Sequence, residues 1–290
     1  MITTRKQRTI ADSVAVEGFG YWSGRDVRVE FCPAEENTGV VFVRQDLPGQ
    51  PRIPARAAYR NDTPLRSNLE CGGATVEMVE HMMATLGGLQ IDNCEIRVDA
   101  AEMPGCDGSC LPFVEAIDTT KIVTQDAPRR GAVVCETIRA SRGNTWIELR
   151  PPTDTELSLD YTLDFGPGPI GYQRLRLTVS PDAFRRELAP SRTFLMQAEA
   201  EQLRSQGLGT RARFSDLLVF GPDGPIDNTL RFKDECVRHK ILDLIGDLAL
   251  ADCDLIGSVI ASRSGHHLNA KVLQTFLTKS QTVGRSRRCA

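Results

Sequence analysis

Residues 238–248 read Arg238-His239-Lys240-Ile241-Leu242-Asp243-Leu244-Ile245-Gly246-Asp247-Leu248. Apolar residues recur there at every third or fourth position, which predicts an amphipathic helix from about Leu230 to Leu250. His239, Asp243 and Asp247 are spaced by four residues, so they share a different face of this helix. Such a helix packs its apolar stripe on a second layer and carries an aligned row of polar side chains.

Strands precede helices in the first half of the chain. Alternating apolar residues predict strands at Val27–Phe31 and Val40–Val43. A period of three to four residues then predicts a helix that begins near Thr75 and carries Glu80 and His81.

The second half repeats this order. Its predicted elements are strands at 132–139, 145–149, 157–164 and 172–179, helices at 181–188, 197–206 and 230–250, a strand at 255–262 and a helix at 267–277. The repetition predicts an α+β fold that arose by structural duplication, although the two halves show no strong sequence repeat.

Polar residues between Thr119 and Arg130 interrupt the pattern, and we interpret them as a linker. The expected organisation is a first domain at residues 1–126, a second at 131–282 and a basic tail at 283–290, which is interpreted as a frayed end.

The composition is that of a folded globular protein, with 41% hydrophobic and 25% charged residues. A net charge of -3 over 290 residues gives no general attraction for nucleic acid. No secretory signal and no apolar run of roughly 18 residues is evident, and nine scattered cysteines suit a reducing compartment. We therefore expect a soluble, cytoplasmic protein; peripheral membrane proximity and the oligomeric state stay open.

The four histidines occur in only three short segments. His239 and Asp243 stand one helical turn apart and, with His81, can supply a zinc triad. Alone, the His239–Asp243 spacing is more typical of a solvated pair. The presence of Glu80 beside His81 favours a zinc site over a solvated pair, because a zinc hydrolase needs a general base near the metal-bound water.

The third segment is Ser264-Gly265-His266-His267, between the last predicted strand and helix. One of its imidazoles can donate a proton to a leaving amine. A turn in which Ser264 caps the helix is an equally good interpretation of these residues alone.

Several segments together carry a family resemblance. They include Asn37-Thr38-Gly39, Val79-Glu80-His81-Met82-Met83-Ala84, Asp107-Gly108-Ser109, Ser191-Arg192-Thr193-Phe194, Phe232-Lys233-Asp234-Glu235, residues 238–248 and Ser264-Gly265-His266. Through them nearly the whole chain resembles the UDP-3-O-acyl-N-acetylglucosamine deacetylases, zinc amidases of bacterial lipid A synthesis.

The resemblance implies a fold and a set of roles. The fold would be two similar domains, each a mainly antiparallel sheet layered with two helices, with the active site at their junction and an apolar passage for the acyl chain. The implied roles are Zn²⁺ ligands at His81, His239 and Asp243, a base at Glu80, an acid at His266, an orienting carboxylate at Asp247, an oxyanion donor at Thr193 and substrate contacts at Phe194 and Lys240. The substrate would be a UDP-linked acylated amino sugar, and Arg238, Lys240 and Arg263 are the cations available for its diphosphate, with solvated surface charges as the alternative.

Two segments depart from the family pattern. Gly20-Tyr21-Trp22-Ser23-Gly24 has Trp22 where the family commonly has histidine, and the loop Gly209–Asp216 is larger and more basic than usual. The acyl-chain length and the sugar therefore stay open. A divergent paralogue that deacetylates another N-acetylated sugar is one alternative, and a non-catalytic metal-containing binding protein is another. Glu80 and His266 argue against the latter, because neither is needed to hold zinc; His267 is interpreted as structural.

Overall fold

The computed structural model describes residues 2–63, 65–153 and 156–286. Strands and helices are mixed in both halves, so the predicted α+β class is confirmed. The elements of the first half are β1 Ile2–Ile10, β2 Val14–Phe19, β3 Asp26–Pro33, β4 Val40–Arg44, β5 Arg52–Pro54, a 3₁₀ turn Ala57–Tyr59, β6 Arg60–Asn61, β7 Asn68–Cys71, β8 Ala74–Val76, α1 Glu80–Leu89, β9 Cys94–Val98 and α2 Leu111–Asp118.

A long strand, β10 Ile122–Val133, connects the first half of the chain to the second half. The elements are the connecting strand β10 Ile122–Val133, then β11 Ile138–Arg142, β12 Thr145–Arg150, β13 Ser158–Asp164, β14 Tyr172–Thr178, α3 Pro181–Ala183, which continues as a π-helical turn Phe184–Leu188, β15 Phe194–Met196, α4 Gln197–Ser205, β16 Leu218–Gly221, β17 Gly224–Pro225, α5 Glu235–Ala249, β18 Asp254–Ile256, β19 Ser258–Ser262 and α6 His266–Ser286.

The two halves share one sheet topology. The first contains a five-stranded sheet in the order β2-β3-β9-β4-β5, and the second contains one in the order β11-β12-β19-β13-β14. In each sheet the strand that comes last in sequence lies in the middle, antiparallel to one neighbour and parallel to the other. The structural duplication inferred from the sequence is therefore confirmed at the level of strand order.

Each half also carries an additional unit immediately before its central helix. In the first half this unit is the small sheet β6-β7-β8, and in the second it is β15 with α4, β16 and β17. Each unit directly precedes a helix that bears predicted site residues. Each unit can therefore pack beside those residues and enclose them.

The helices α1 and α5 pack on each other between the two sheets. A Cβ atom built on Gly246 would lie 2.1 Å from the carbonyl oxygen of Glu80, so only glycine allows this close approach of the two backbones. Helix α5 is buried on almost every side. Its polar residues His239, Asp243 and Asp247 are each at most 4% exposed to solvent. The polar row predicted from the sequence is thus enclosed at the helix junction.

Several predicted boundaries were wrong. The first helix begins at Glu80 and not near Thr75, because Thr75 belongs to β8. The long helix is confined to Glu235–Ala249, the strand predicted at 255–262 is divided into β18 and β19, and the last helix extends well past residue 277.

The segment interpreted as a linker also differs from the prediction, because it forms a strand. Most of it belongs to β10, which pairs antiparallel with β1 and, through its last residues, parallel with β18. Its alternating burial is weak because much of β10 faces solvent, which explains why its sequence resembles a loop. The domain limits themselves stay a prediction. Of the proposed tail, residues 283–286 continue α6, and 287–290 lie outside the described residues.

Within the described ranges, no helix combines the length and the apolar character needed to span a membrane.

Candidate active site at the helix junction

Three side chains able to bind a metal converge where α1 meets α5. Nε2 of His239 lies 3.3 Å from Oδ1 of Asp243, and Nε2 of His81 lies 3.7 Å from the same oxygen. The two imidazole rings are nearly perpendicular, with centroids 5.2 Å apart. The structure therefore brings the three predicted ligands together in a buried group, unlike the solvated pair that the spacing of His239 and Asp243 alone would favour.

The donor set fits a zinc ion. One ligand atom from each residue lies within 4.8 Å of the others. The two histidine–aspartate distances are close to the separation of about 3.4 Å that bonds of about 2.1 Å give on a tetrahedral ion. Nδ1 of His239 lies 3.1 Å from the carbonyl oxygen of Ser191, which keeps the proton on Nδ1 and leaves Nε2 free to coordinate.

Protonation states at the group agree with this fit. Burial lowers the pKa of His239 to about 3, so its imidazole is neutral. Burial raises the pKa of Asp243, but its electrostatic interactions with the adjacent His239 ring and with the ammonium of Lys240 outweigh burial and hold that pKa well below the usual value. A neutral imidazole and an ionised carboxylate are the forms that bind metal.

Glu80 lies beside this group at the first turn of α1. It is 5% exposed, and its Oε2 accepts a hydrogen bond of 2.9 Å from the backbone N–H of Ser67. The Ser67 hydroxyl donates to Oδ1 of Asp247 at 2.6 Å. Burial raises the pKa of Glu80. Ser67 thus fixes two carboxylates that belong to different helices.

His266 and Asp247 form a second buried pair. Nδ1 of His266 lies 2.9 Å from Oδ2 of Asp247, which also accepts a hydrogen bond of 2.8 Å from Nδ2 of Asn269. Burial lowers the pKa of His266, but the charge and hydrogen bond of Asp247 outweigh it and raise the pKa to about 9. The imidazole is therefore protonated at neutral pH, and its Nε2 lies 4.0 Å from Oδ2 of Asp243.

Thr193 and Phe194 line the same cavity as Glu80. The backbone N–H of Thr193 donates to the carbonyl oxygen of Gly108 at 2.7 Å, which ties the start of β15 to the first half of the chain. Gly108 has a φ of +80° and lies so close to Thr193 that an added Cβ would be 3.1 Å from its methyl group. The ring of Phe194 packs edge-on against that of His239, with centroids 6.5 Å apart.

The three predicted ligands, Glu80, Thr193, Phe194 and His266 line one cavity of about 170 Å³. Its polar lining includes the metal-binding group, Glu80, His266, Thr193 and Lys240. Most of the remaining lining is apolar and comes from the unit β15, α4 and β16 and from the loop between α4 and β16, with side chains of Leu195, Ala200, Leu203, Leu208, Leu217 and Val219. The cavity therefore joins a polar centre to an apolar compartment.

Two open clefts adjoin this cavity at Lys240. One is lined by Tyr161, Phe165 and Arg263, and the other by Asp62, Arg142 and His267. The ammonium of Lys240 donates to Oδ2 of Asp243 at 2.8 Å, so it lies between the polar centre and both clefts.

Arg238 lies apart from the other predicted residues. Its guanidinium pairs with Asp234 at 2.7 Å and Glu187 at 2.6 Å, and it stacks over the ring of Phe232. A substrate contact of Arg238 stays a prediction. Its side chain points away from that of His239, because each residue turns the direction of the side chain by about 100° around a helix. His267 is half exposed and pairs with Asp62 at 3.1 Å.

Two residues of the site were not predicted from the sequence. Asn269 could have been found, because it follows His266 by three residues and such residues share a helix face. No sequence pattern marks Ser67 as a site residue. It contacts Glu80 and Asp247 only because the β6-β7-β8 unit packs on the helices.

Known proteins are similar to this chain over most of its length. Residues 7–278 match the family model described as UDP-3-O-acyl N-acetylglycosamine deacetylase. Curated proteins named UDP-3-O-acyl-N-acetylglucosamine deacetylase from Brucella ovis, Brucella canis and Brucella suis are each 37% identical over 274 residues, which cover 94% of this chain and 95% of theirs. The chain belongs to the UDP-3-O-acyl N-acetylglycosamine deacetylase family.

Proposed function

We propose that the chain is a zinc-dependent amidohydrolase that removes the N-acetyl group of UDP-3-O-acyl-N-acetylglucosamine in lipid A biosynthesis. The products are acetate and UDP-3-O-acyl-glucosamine. One observation carries this proposal: a metal-binding group, a buried carboxylate and a carboxylate-paired imidazole line one cavity that continues into an apolar compartment.

His81, His239 and Asp243 hold the metal in this proposal. Zinc bound there would polarise the amide carbonyl and lower the pKa of a coordinated water to about 7. Three protein ligands leave a position open to the cavity, which is the arrangement of a catalytic rather than a structural zinc site.

Glu80 is the general base. Its raised pKa follows from burial, and the backbone N–H of Ser67 fixes its carboxylate beside the ligands. Glu80 takes the proton of water as the water oxygen forms a bond to the carbonyl carbon. The hydroxyl of Thr193, which lines the same cavity, donates a hydrogen bond to the oxyanion that develops.

His266 is the general acid. The amide C–N bond breaks as the imidazolium transfers its proton to the amine nitrogen, which leaves as a neutral amine. Asp247 holds Nδ1 of His266, so Nε2 is the atom that faces the cavity and delivers the proton. Asn269 and Ser67 hold Asp247 in turn and act as positioning residues.

The substrate spans the cavity and its clefts. The apolar walls take the acyl chain, and Phe194 packs on the sugar or on the start of that chain. Lys240 and Arg263 supply positive charge for the diphosphate in the adjoining cleft. We further infer a cytoplasmic protein, because all cysteines among the described residues are free thiols, as a reducing compartment requires.

The decisive experiment measures acetate release and metal content together. Zinc-loaded protein is incubated with UDP-3-O-acyl-N-acetylglucosamine beside an established deacetylase. We expect turnover by the wild type, and a loss of about 10²–10⁴-fold in Glu80→Gln with one zinc per chain retained. Glu115→Gln, on the exposed face of α2, is the matched control and retains full activity.

Two results would contradict the proposal. Loss of zinc from Glu80→Gln would make Glu80 a ligand instead of the base. Absence of acetate release by the wild type, with the reference enzyme active, would exclude this substrate. The altered segments at Trp22 and Gly209–Asp216 favour a second candidate in that case, a deacetylase of another N-acetylated sugar, and a panel of N-acetylated nucleotide sugars would identify it.

A further inference from the structure

The two segments that depart from the family pattern contact each other in the folded chain. The hydroxyl of Tyr21 donates to the carbonyl oxygen of Asp216. Nη1 of Arg211 donates to the carbonyl oxygen of Gly24 at 3.0 Å and to Oδ1 of Asp26 at 2.6 Å. Residues 20–24 and 209–216 therefore form one seam, and through Tyr21, Trp22, Gly209, Ala212, Arg213 and Phe214 this seam lines the catalytic cavity.

The backbone of this seam is fixed at Trp22. Its N–H donates to Oε1 of Glu102 at 2.7 Å, and the N–H of Ser23 donates to Oε2 at 2.8 Å. Glu102 is 4% exposed, so the carboxylate that receives both bonds is itself held in place by the surrounding core. The backbone of Trp22, from which the indole side chain extends, therefore has little conformational freedom.

The indole ring is fixed from outside the cavity. The guanidinium carbon of Arg66 lies 4.7 Å from the centre of the Trp22 ring, and Nη2 of Arg66 pairs with Oε2 of Glu77 at 3.0 Å. Nε and Nη1 of Arg66 are buried and make no hydrogen bond within the described part of the chain. The face of the indole is thus a principal contact of this cation, as in other cation–π pairs.

We propose that Trp22, held by Arg66, is the wall that selects the 3-O-acyl group of the substrate. The inference rests on the proposed function. Trp22 lines the cavity together with Glu80 and Thr193 and with apolar side chains that include Leu203 and Leu208. An indole is large and apolar, and the contact with Arg66 prevents it from swinging aside. The wall therefore narrows the route of the acyl chain and disfavours long chains.

The test compares kcat/KM for two UDP-3-O-acyl-N-acetylglucosamines that differ only in having a short or a long acyl chain. Trp22→His should raise the ratio of long-chain to short-chain kcat/KM by roughly tenfold or more, since a few methylene groups in an apolar pocket supply discrimination of that size. Trp22→Phe should give a smaller change in the same direction. Arg66→Met should shift the ratio toward that of Trp22→His with zinc content unchanged, and Arg66→Lys should restore part of the wild-type ratio.

A matched pair elsewhere in the chain supplies the control. Trp146 lies under the guanidinium of Arg139 at 4.4 Å on the sheet of the second half, and it does not line the catalytic cavity. Trp146→His should leave the ratio unchanged. A general loss of stability would lower both kcat/KM values and would not move their ratio.

The outcomes separate this inference from the proposed function. An active wild type whose ratio is unchanged in Trp22→His and Trp22→Phe would overturn the inference alone. A change in preference for the size of the N-acyl group, with the O-acyl ratio constant, would also overturn it. A wild type inactive on both substrates would refute the proposed function and the inference with it.

Discussion

The carbonyl oxygen of Glu80 lies against the α-carbon of Gly246, so close that a Cβ atom on Gly246 would be 2.1 Å from it. This contact sets the distance between α1 and α5. Because His81 follows Glu80 directly, and His239 and Asp243 lie on the same helix as Gly246, it also sets the geometry of the metal-binding group.

Gly246→Ala should therefore separate the helices and weaken metal binding. We expect a loss of at least about 1–3 kcal/mol in the free energy of unfolding, which is typical of overpacking, together with less than one zinc per chain. Thermal unfolding and metal analysis measure the two effects. Gly87→Ala is the control at the same junction, where the new Cβ would be 3.1 Å from that of Ala249 and only small shifts are needed. Equal effects of both substitutions would contradict this account.

Asp247→Asn should change the pH dependence of turnover. The pKa of His266 is raised to about 9, so the acid form persists below that pH and is lost as the pH rises through it. Without the charge of Asp247, burial dominates and the pKa falls, so the alkaline limb of the pH–kcat profile should move to lower pH. We expect kcat near neutrality to fall by about 10–100-fold.

The control for that variant is a second aspartate–histidine pair. Asp62 and His267 form a comparable contact of 3.1 Å, but both side chains are more than half exposed. Asp62→Asn should keep the wild-type profile. An unchanged alkaline limb in Asp247→Asn would show that Asp247 does not set the protonation of His266.

Removal of the metal should inactivate the enzyme reversibly. A chelator should abolish acetate release, and added zinc should restore it. Because the metal binds the folded state, it should also raise the melting temperature, with about 2.7 kcal/mol of stabilisation at a free concentration of 100 times Kd. His81→Ala should bind no zinc at the concentration that saturates the wild type, whereas His267→Ala should bind one equivalent. Activity that survives complete removal of metal would contradict the mechanism.

The buried ion pair of Arg192 and Glu235 should contribute to stability far more than an exposed pair. Nε of Arg192 donates to Oε1 of Glu235 at 2.8 Å, and Glu235 is fully buried. Glu235→Gln leaves a buried guanidinium uncompensated and should lower the free energy of unfolding by about 3–5 kcal/mol. Asp160→Asn, which breaks the pair with the exposed Arg174, should cost about 0–1 kcal/mol. Urea unfolding of the two variants measures the difference, and equal losses would count against it.

The sequence by itself determined the class of the fold, its duplication and most of the candidate site. Local periodicity predicts helices and strands, and the spacing of His239, Asp243 and Asp247 places them on one helix face; the family motifs then connect them to Glu80, His81, Thr193 and His266. The strand β10 escaped detection because a strand that faces solvent lacks a strong apolar alternation.

Only the tertiary structure decided which of these residues meet. The close packing at Gly246 brings α1 to α5, the β6-β7-β8 unit brings Ser67 between Glu80 and Asp247, and the turn of the helix directs Arg238 away from the cavity. The stacking of Arg66 on Trp22 likewise has no signature in the chain. Such contacts depend on how separate elements dock, and docking is governed by packing across long sequence separations that local patterns do not encode.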